Sequence, residues 1–271
     1  LDPYTHQYNQ KFRADLYKMI FIYYLYKQDE SIIWPTPNNR LSLKLEEINT
    51  INHLYDGMSH DAEVDVYVTI ELAKKLKSID NKMWDYLVSS FIADNDLQYF
   101  NKLNTLTCID DSTYKIGVFI SNKNGLQSNY ASPVIELCTA YENGSIRKKK
   151  KKLLRLDNYV FEDFNESNFT EKIEKGILSK TFGEPNFILP FSDKYLRIFN
   201  EHIVGLAKAN LSWIKHHPSA IKKLIEKYQN IDYCNENSID LDASLYQSNT
   251  EGGGWFTKEE QLYREKFHHA N

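Results

Sequence analysis

The spacing of apolar residues changes period twice along this 271-residue chain, and that switch restricts the fold more than any single motif does. A helix repeats its buried face every three to four residues and a strand every two, so one stretch cannot serve as both. Up to about residue 91 the period is helical. Asn9 to Lys27 places Phe12, Leu16, Met19 or Ile20, and Tyr23 on one face. Trp34-Pro-Thr-Pro-Asn-Asn interrupts the pattern as a loop, and Leu41 to Leu54 resumes it as a short helix. Asp61 to Lys77 carries the strongest helical signal. Ala62, Val66, Ile70 and Ala73 are its expected buried stripe, and Ser59 is its expected N-cap. Asp61 and Glu63 suit the positive end of the helix dipole. Trp84 to Phe91 reads as one more helix.

From about residue 92 to 195 the period shortens. Tyr114 to Ile120 and Pro133 to Tyr141 read as strands, with turn signals at Lys123-Asn-Gly and Glu142-Asn-Gly. Lys180 to Pro190 reads as another, and the cationic run Arg147 to Lys152 reads as a solvated loop tip between strands. Beyond residue 196 the helical period returns in Tyr195 to Lys215 and Pro218 to Gln229, split by His216-His217, with Pro218 in the first turn. A Gly-rich stretch, Ser248 to Trp255, precedes a last short helix. The order predicts an α+β chain with regions 1–91, 92–195 and 196–271.

Composition excludes several classes. The most apolar stretch, Met19 to Tyr26, is too short to cross a bilayer. No secretory leader is visible, and three widely spaced cysteines fit no closed disulfide framework, so reduced thiols and a cytoplasmic location are expected. The first residue is Leu1, so the natural start can lie upstream. The net charge of −4 argues against an all-over nucleic-acid binder but leaves room for local basic patches. His216-His217, His268-His269 and Cys234 lack zinc-ligand spacing. Gly252-Gly-Gly254 lacks the Lys-Ser/Thr of a P-loop, and no nucleophile elbow occurs.

One constellation carries chemistry: Ser59-His60-Asp61-Ala62-Glu63-Val64-Asp65. A His at the mouth of a helix can move, and its near-neutral pKa suits proton abstraction. A carboxylate one turn further in is held as a metal ligand. His-x4-Asp alone occurs by chance in many chains, and a solvated helix start is its bland reading. The longer context is more specific. The run from His60 to Lys77, followed by Trp84-Asp-Tyr-Leu, resembles the exodeoxyribonuclease I family, whose members are DEDD-type exonucleases with a catalytic His. So do Asp2-Pro-Tyr, Arg13-Ala-Asp15, Ile33-Trp-Pro, Leu43-Lys-Leu-Glu, Leu211 to Pro218 and Leu241-Asp-Ala-Ser-Leu-Tyr. The β region is similar only loosely.

The resemblance implies the C-terminal part of an RNase H-like exonuclease domain over 1–91, an SH3-like β domain over 92–195, and the start of a helical extension over 196–271. It implies magnesium-dependent 3′→5′ degradation of single-stranded DNA, with His60 as general base and Asp65 as a metal ligand. It assigns DNA contacts to Lys44 and Tyr86, and more weakly to Trp34 and Lys215. Tyr86 can equally pack in a helix interface, Trp34 can plug a core, and Lys215 can be a solvated helix end. The family's Asp-x-Glu and the Asp of its second motif have no counterpart in these 271 residues. The chain alone is therefore expected to be inactive, and a non-catalytic module binding single-stranded DNA or the single-stranded-DNA-binding protein is the alternative. The acidic tail of that protein is the implied protein partner, and a monomer with no membrane association is expected.

Overall fold

The computed structural model describes residues 14–28, 31–56, 62–121, 131–141, 149–166 and 168–229. Its first helix, α1 (Leu16–Tyr26), buries Met19, Ile20, Phe21, Ile22 and Tyr23 in succession. A helix that is apolar all round has to be surrounded. It is: α2 (Leu45–Asn52), α3 (Ala62–Ile79) and α4 (Asn81–Ser89) contribute Ile48, Leu72, Leu76, Met83 and Leu87 to the same core. Asp80 ties this group together. Its carboxylate caps α4 by accepting from the Met83 amide at 2.9 Å and lies 3.3 Å from the Lys27 ammonium. Its carbonyl accepts from the Tyr23 hydroxyl at 3.1 Å. Partial burial opposes the Asp80 charge, but the Met83 amide and Lys27 outweigh it and hold the carboxyl below its ordinary value.

The helical stretch continues through α5 (Ala93–Asn101) before the chain turns to β structure. The strands are β1 (Asn104–Thr107), β2 (Thr113–Ile120), β3 (Ala131–Tyr141) and β4 (Lys149–Arg155). After the one-turn α6 (Phe169–Lys172) come β5 (Ile177–Thr181) and β6 (Phe187–Pro190). All pairings are antiparallel in the order β1-β2-β3-β4-β5, and β6 shares the free edge of β2 with β1. That edge can take β6 only because residue 117 is glycine. A Cβ there would stand 2.8 Å from the Leu189 carbonyl oxygen.

The helices α7 (Asp193–Leu196), α8 (Glu201–His216) and α9 (Pro218–Gln229) follow. Asn200 caps α8 by accepting from the Ile203 amide at 2.9 Å, and Pro218 starts α9 as the sequence predicts. Helices α8 and α9 cover one end of the sheet with Leu211, Trp213, Ile214, Ile221 and Leu224. Asn210, buried in α8, donates to the carbonyls of Leu156 and Tyr159 and accepts from the Phe161 amide, so no polar atom of its amide oxygen or nitrogen is wasted.

Two expectations are corrected. The buried stripe of α3 is Val68, Leu72 and Leu76, not Ala62, Val66, Ile70 and Ala73. Val66 is 56% exposed and Ile70 43%. The helix carries two apolar stripes, about 115° apart at about 100° per residue, and the one with the larger Leu side chains faces α1 and α4. The lysine run is not a loop tip. Lys149 to Lys152 lie in β4, where Lys151 pairs with Glu136 across the ladder and Lys152 donates to Ser179 at 2.9 Å. Strand alternation sends Lys151 and Lys152 to opposite faces, where each meets its own partner. The predicted cap Ser59, the residue Phe12 and the helix after Trp255 lie outside the described residues.

Leu72→Ala should cost about 2–5 kcal/mol by opening a cavity. Val66→Ala should stay within about 0.5 kcal/mol. Urea titration of both variants separates the two stripes; equal losses would contradict the assignment. A second expectation concerns alkaline pH. Burial, reinforced by Asp80 at Tyr23 and by Tyr195 at Tyr26, raises both phenols well above their ordinary value. The folded chain then keeps protons that the unfolded chain releases near pH ~10. The stability these groups contribute is present below that pH and is lost as pH rises above it. Absorbance at 295 nm should show the two tyrosines ionising together with loss of helical circular dichroism, rather than before it.

Candidate nucleic-acid interface

A cleft of about 950 Å³ opens on the helical side of the molecule. Its walls come from segments far apart in sequence: Tyr17 on α1, Lys44 just before α2, Thr69 on α3, Phe91 after α4, and the turn Gly183 to Pro185 between β5 and β6. The floor is apolar, with Ile20, Leu43 and Leu72, while Asp15, Lys44 and Glu184 bring charge to the lining. An apolar trough with a cation in its wall suits a ligand that has flat apolar faces and an anionic backbone.

Lys44 is the N-cap residue of α2 and its side chain is 69% exposed. Its ammonium lies 3.9 Å from a carboxylate oxygen of Glu46 and of Glu47. Exposed pairs at that separation are worth little, so the cation stays available to a phosphate. Asp65 is exposed in the first turn of α3. The Thr69 hydroxyl donates to its carbonyl at 2.7 Å, which sets the two residues one above the other on the side that reaches the cleft. His60 lies outside the described residues. Among the described residues no group of three or more His, Cys, Asp or Glu side chains could hold a metal ion. Asp65 is thus a single candidate ligand there, and those residues do not complete a two-ion site.

The aromatic candidates both make contacts within the frame. Tyr86 is half-buried on α4; its hydroxyl donates to the Ile188 carbonyl at 2.6 Å and its ring meets Tyr99 edge-on at 4.7 Å. Burial, then the nearby Asp96 charge, pushes its phenol above the ordinary value. Tyr86 is the strut between α4 and β6, which is the helix-interface alternative the sequence left open. Trp34 packs against the first core, edge-on to Tyr24 at 5.7 Å. Lys215 is exposed near the end of α8, away from the cleft lining, and its carbonyl accepts from the Ile109 amide at 3.1 Å. Sequence reasoning did not find Tyr17, Phe91 or the Gly183 to Pro185 turn as cleft walls, because only tertiary packing brings them beside Lys44.

No protein-family model matches the sequence. Exodeoxyribonuclease I of Escherichia coli (strain K12) is 25% identical over 236 residues, which is 80% of this chain and 46% of that protein. The crystal structure of E. coli exonuclease I in complex with a dA16 oligonucleotide superposes with a TM-score of 0.63 at 18% identity, covering 94% of this chain and 53% of that one. An ExoI/SSB-Ct complex superposes with a TM-score of 0.62 at 17% identity, covering 94% of this chain and 52% of that one. The chain spans about half the length of these proteins. In sequence and in its α+β fold around an antiparallel sheet, the chain is similar to exodeoxyribonuclease I along most of its own length.

Proposed function

We propose that this chain is part of an exodeoxyribonuclease I-type enzyme that degrades single-stranded DNA from its 3′ end, and that the Lys44 cleft carries the strand. The sequence similarity, which extends over 80% of the chain, is the observation that supports this reading most. Residues 1–91 are read as the remainder of an RNase H-like exonuclease domain, 92–195 as an SH3-like domain and 196–271 as the start of a helical extension. A cytoplasmic location is proposed; the buried free thiols Cys108 and Cys138 are consistent with it. No helix among the described residues is long and apolar enough to cross a membrane.

In this reading Lys44 neutralises a backbone phosphate, and the apolar floor excludes water from the bases beside it. Tyr86 and Trp34 hold the walls in place. His60 is the proposed general base. Asp65 is the proposed ligand of one magnesium ion, a metal that in such sites stabilises charge on the phosphate. The remaining ligands would have to come from outside the described residues. The acidic tail of the single-stranded-DNA-binding protein is the proposed protein partner, by analogy with the ExoI/SSB-Ct complex.

The absence of a metal-holding cluster among the described residues favours a second reading for this polypeptide taken alone, that of a module which binds the strand without cutting it. Fluorescence anisotropy with a labelled dT oligonucleotide, across a salt series and with magnesium present, tests both. Salt-sensitive binding with no shortening of the oligonucleotide is expected. Lys44→Ala should weaken binding and lower the salt slope by about 1, whereas Lys215→Ala should leave the slope unchanged. Shortening from the 3′ end that chelator and His60→Ala both abolish would establish the complete enzyme in this chain. Neither binding nor shortening would remove both readings.

A further inference from the structure

Besides Lys44, the cleft is walled by the turn from Gly183 to Pro185. The turn is held from behind. Asp96, in the first turn of α5, and Lys180, on β5, form an ion pair in which both side chains are fully buried. One oxygen of Asp96, Oδ2, accepts from the Lys180 ammonium and also from the Gly183 amide at 3.0 Å. The ammonium donates in addition to the Thr181 carbonyl at 3.1 Å and lies 5.6 Å from the centroid of the Phe182 ring. Four consecutive residues, Lys180 to Gly183, are therefore gathered around one ion pair, whose carboxylate comes from a different element and is touched directly by Lys180 and Gly183.

The backbone at the turn leaves little slack. Gly183 has φ +78°, a conformation that favours glycine, and a Cβ there would come within 3.1 Å of the Ala93 nitrogen. The turn is pressed onto the start of α5, three residues before Asp96. The pair does not owe its place to stability alone. Asp96 Oδ1 is buried with no hydrogen-bond partner. Burial pushes the carboxyl up and the ammonium down from their ordinary values, so each charge is tolerated only because of the other. A buried pair of this kind is often no more stabilising than a well-packed apolar pair, but it is directional, and an apolar pair offers the Gly183 amide no acceptor.

We propose that Asp96 and Lys180 are positioning residues for the cleft: their buried pair fixes the turn from Gly183 to Pro185 and so sets the width available to a strand lying against Lys44. The part concerning the strand rests on the nucleic-acid reading of the cleft. The part concerning the turn does not.

The test uses the whole chain, with Asp96→Asn, Lys180→Met and the apolar double variant Asp96→Leu/Lys180→Met. Three readouts are taken: the urea midpoint, exchange of the Gly183 amide by NMR, and affinity for a dT oligonucleotide. Each single variant should lower the midpoint, and the double variant should recover most of it. In the recovered double variant the Gly183 amide should exchange roughly tenfold faster, in line with one lost hydrogen bond, and affinity should stay reduced. Recovery of stability together with wild-type exchange and affinity would overturn the proposal, because the pair would then be ordinary core. If the double variant does not fold, Asp96→Asn decides. Its side-chain oxygen can still accept from Gly183, so affinity should hold while the midpoint falls; affinity lost in step with stability would overturn the proposal. If the wild-type chain does not bind the oligonucleotide, the nucleic-acid reading fails, and the exchange of Gly183 alone decides whether the pair positions the turn.

Discussion

Strand β2 is the constraint on which the rest of the structure depends, because all three clusters of buried side chains meet on it. Val118 and Ile120 enter the core built around α1, while Tyr114 and Ile116, on the same face nearer its start, enter the core closed by α8 and α9. Phe119 points the other way and packs with Phe100, Val134, Leu153 and Ile188. A strand buried on both faces must be apolar almost throughout. Its glycine marks the place where β6 comes too close for any side chain. Through β6, β2 also reaches the cleft: the same short strand accepts the Tyr86 hydroxyl at Ile188 and begins where the Gly183 to Pro185 turn ends.

Element types were legible wherever local chemistry was decisive. Pro218 announced a helix start, and the run from Tyr114 to Ile120 announced a strand. What was not legible depended on partners. α3 carries apolar residues on two sides, and only the packing of α1 and α4 tells which side is inside. Five consecutive lysines look solvated to any local rule, yet in β4 the alternation lets Lys151 meet Glu136 on one side and Lys152 meet Ser179 on the other. Lys180 looked like an ordinary strand residue, and its fully buried partner lies 84 residues earlier in the chain.

The candidate site follows the same division. The resemblance pointed to Lys44 and Asp65, and both stand on or beside the cleft. It also pointed to Tyr86 and Trp34, whose contacts are internal ones to Ile188, Tyr99 and Tyr24. An aromatic residue near a groove can shape it without touching what the groove holds. The electrostatics divide likewise. Exposed, loosely paired Lys44 is free to exchange its carboxylate neighbours for a phosphate, whereas buried Lys180 is committed to Asp96.

Hydrogen–deuterium exchange of the chain with and without a dT oligonucleotide tests the central claim, that the cleft is the strand's path, most directly. The account predicts slowed exchange in Leu41 to Leu45, in the turn of α3 from Asp65 to Thr69, and in Gly183 to Pro185. Unchanged exchange in these three segments, with protection confined to β4 and α9, would contradict it and move the interface to the lysine-bearing end of the sheet.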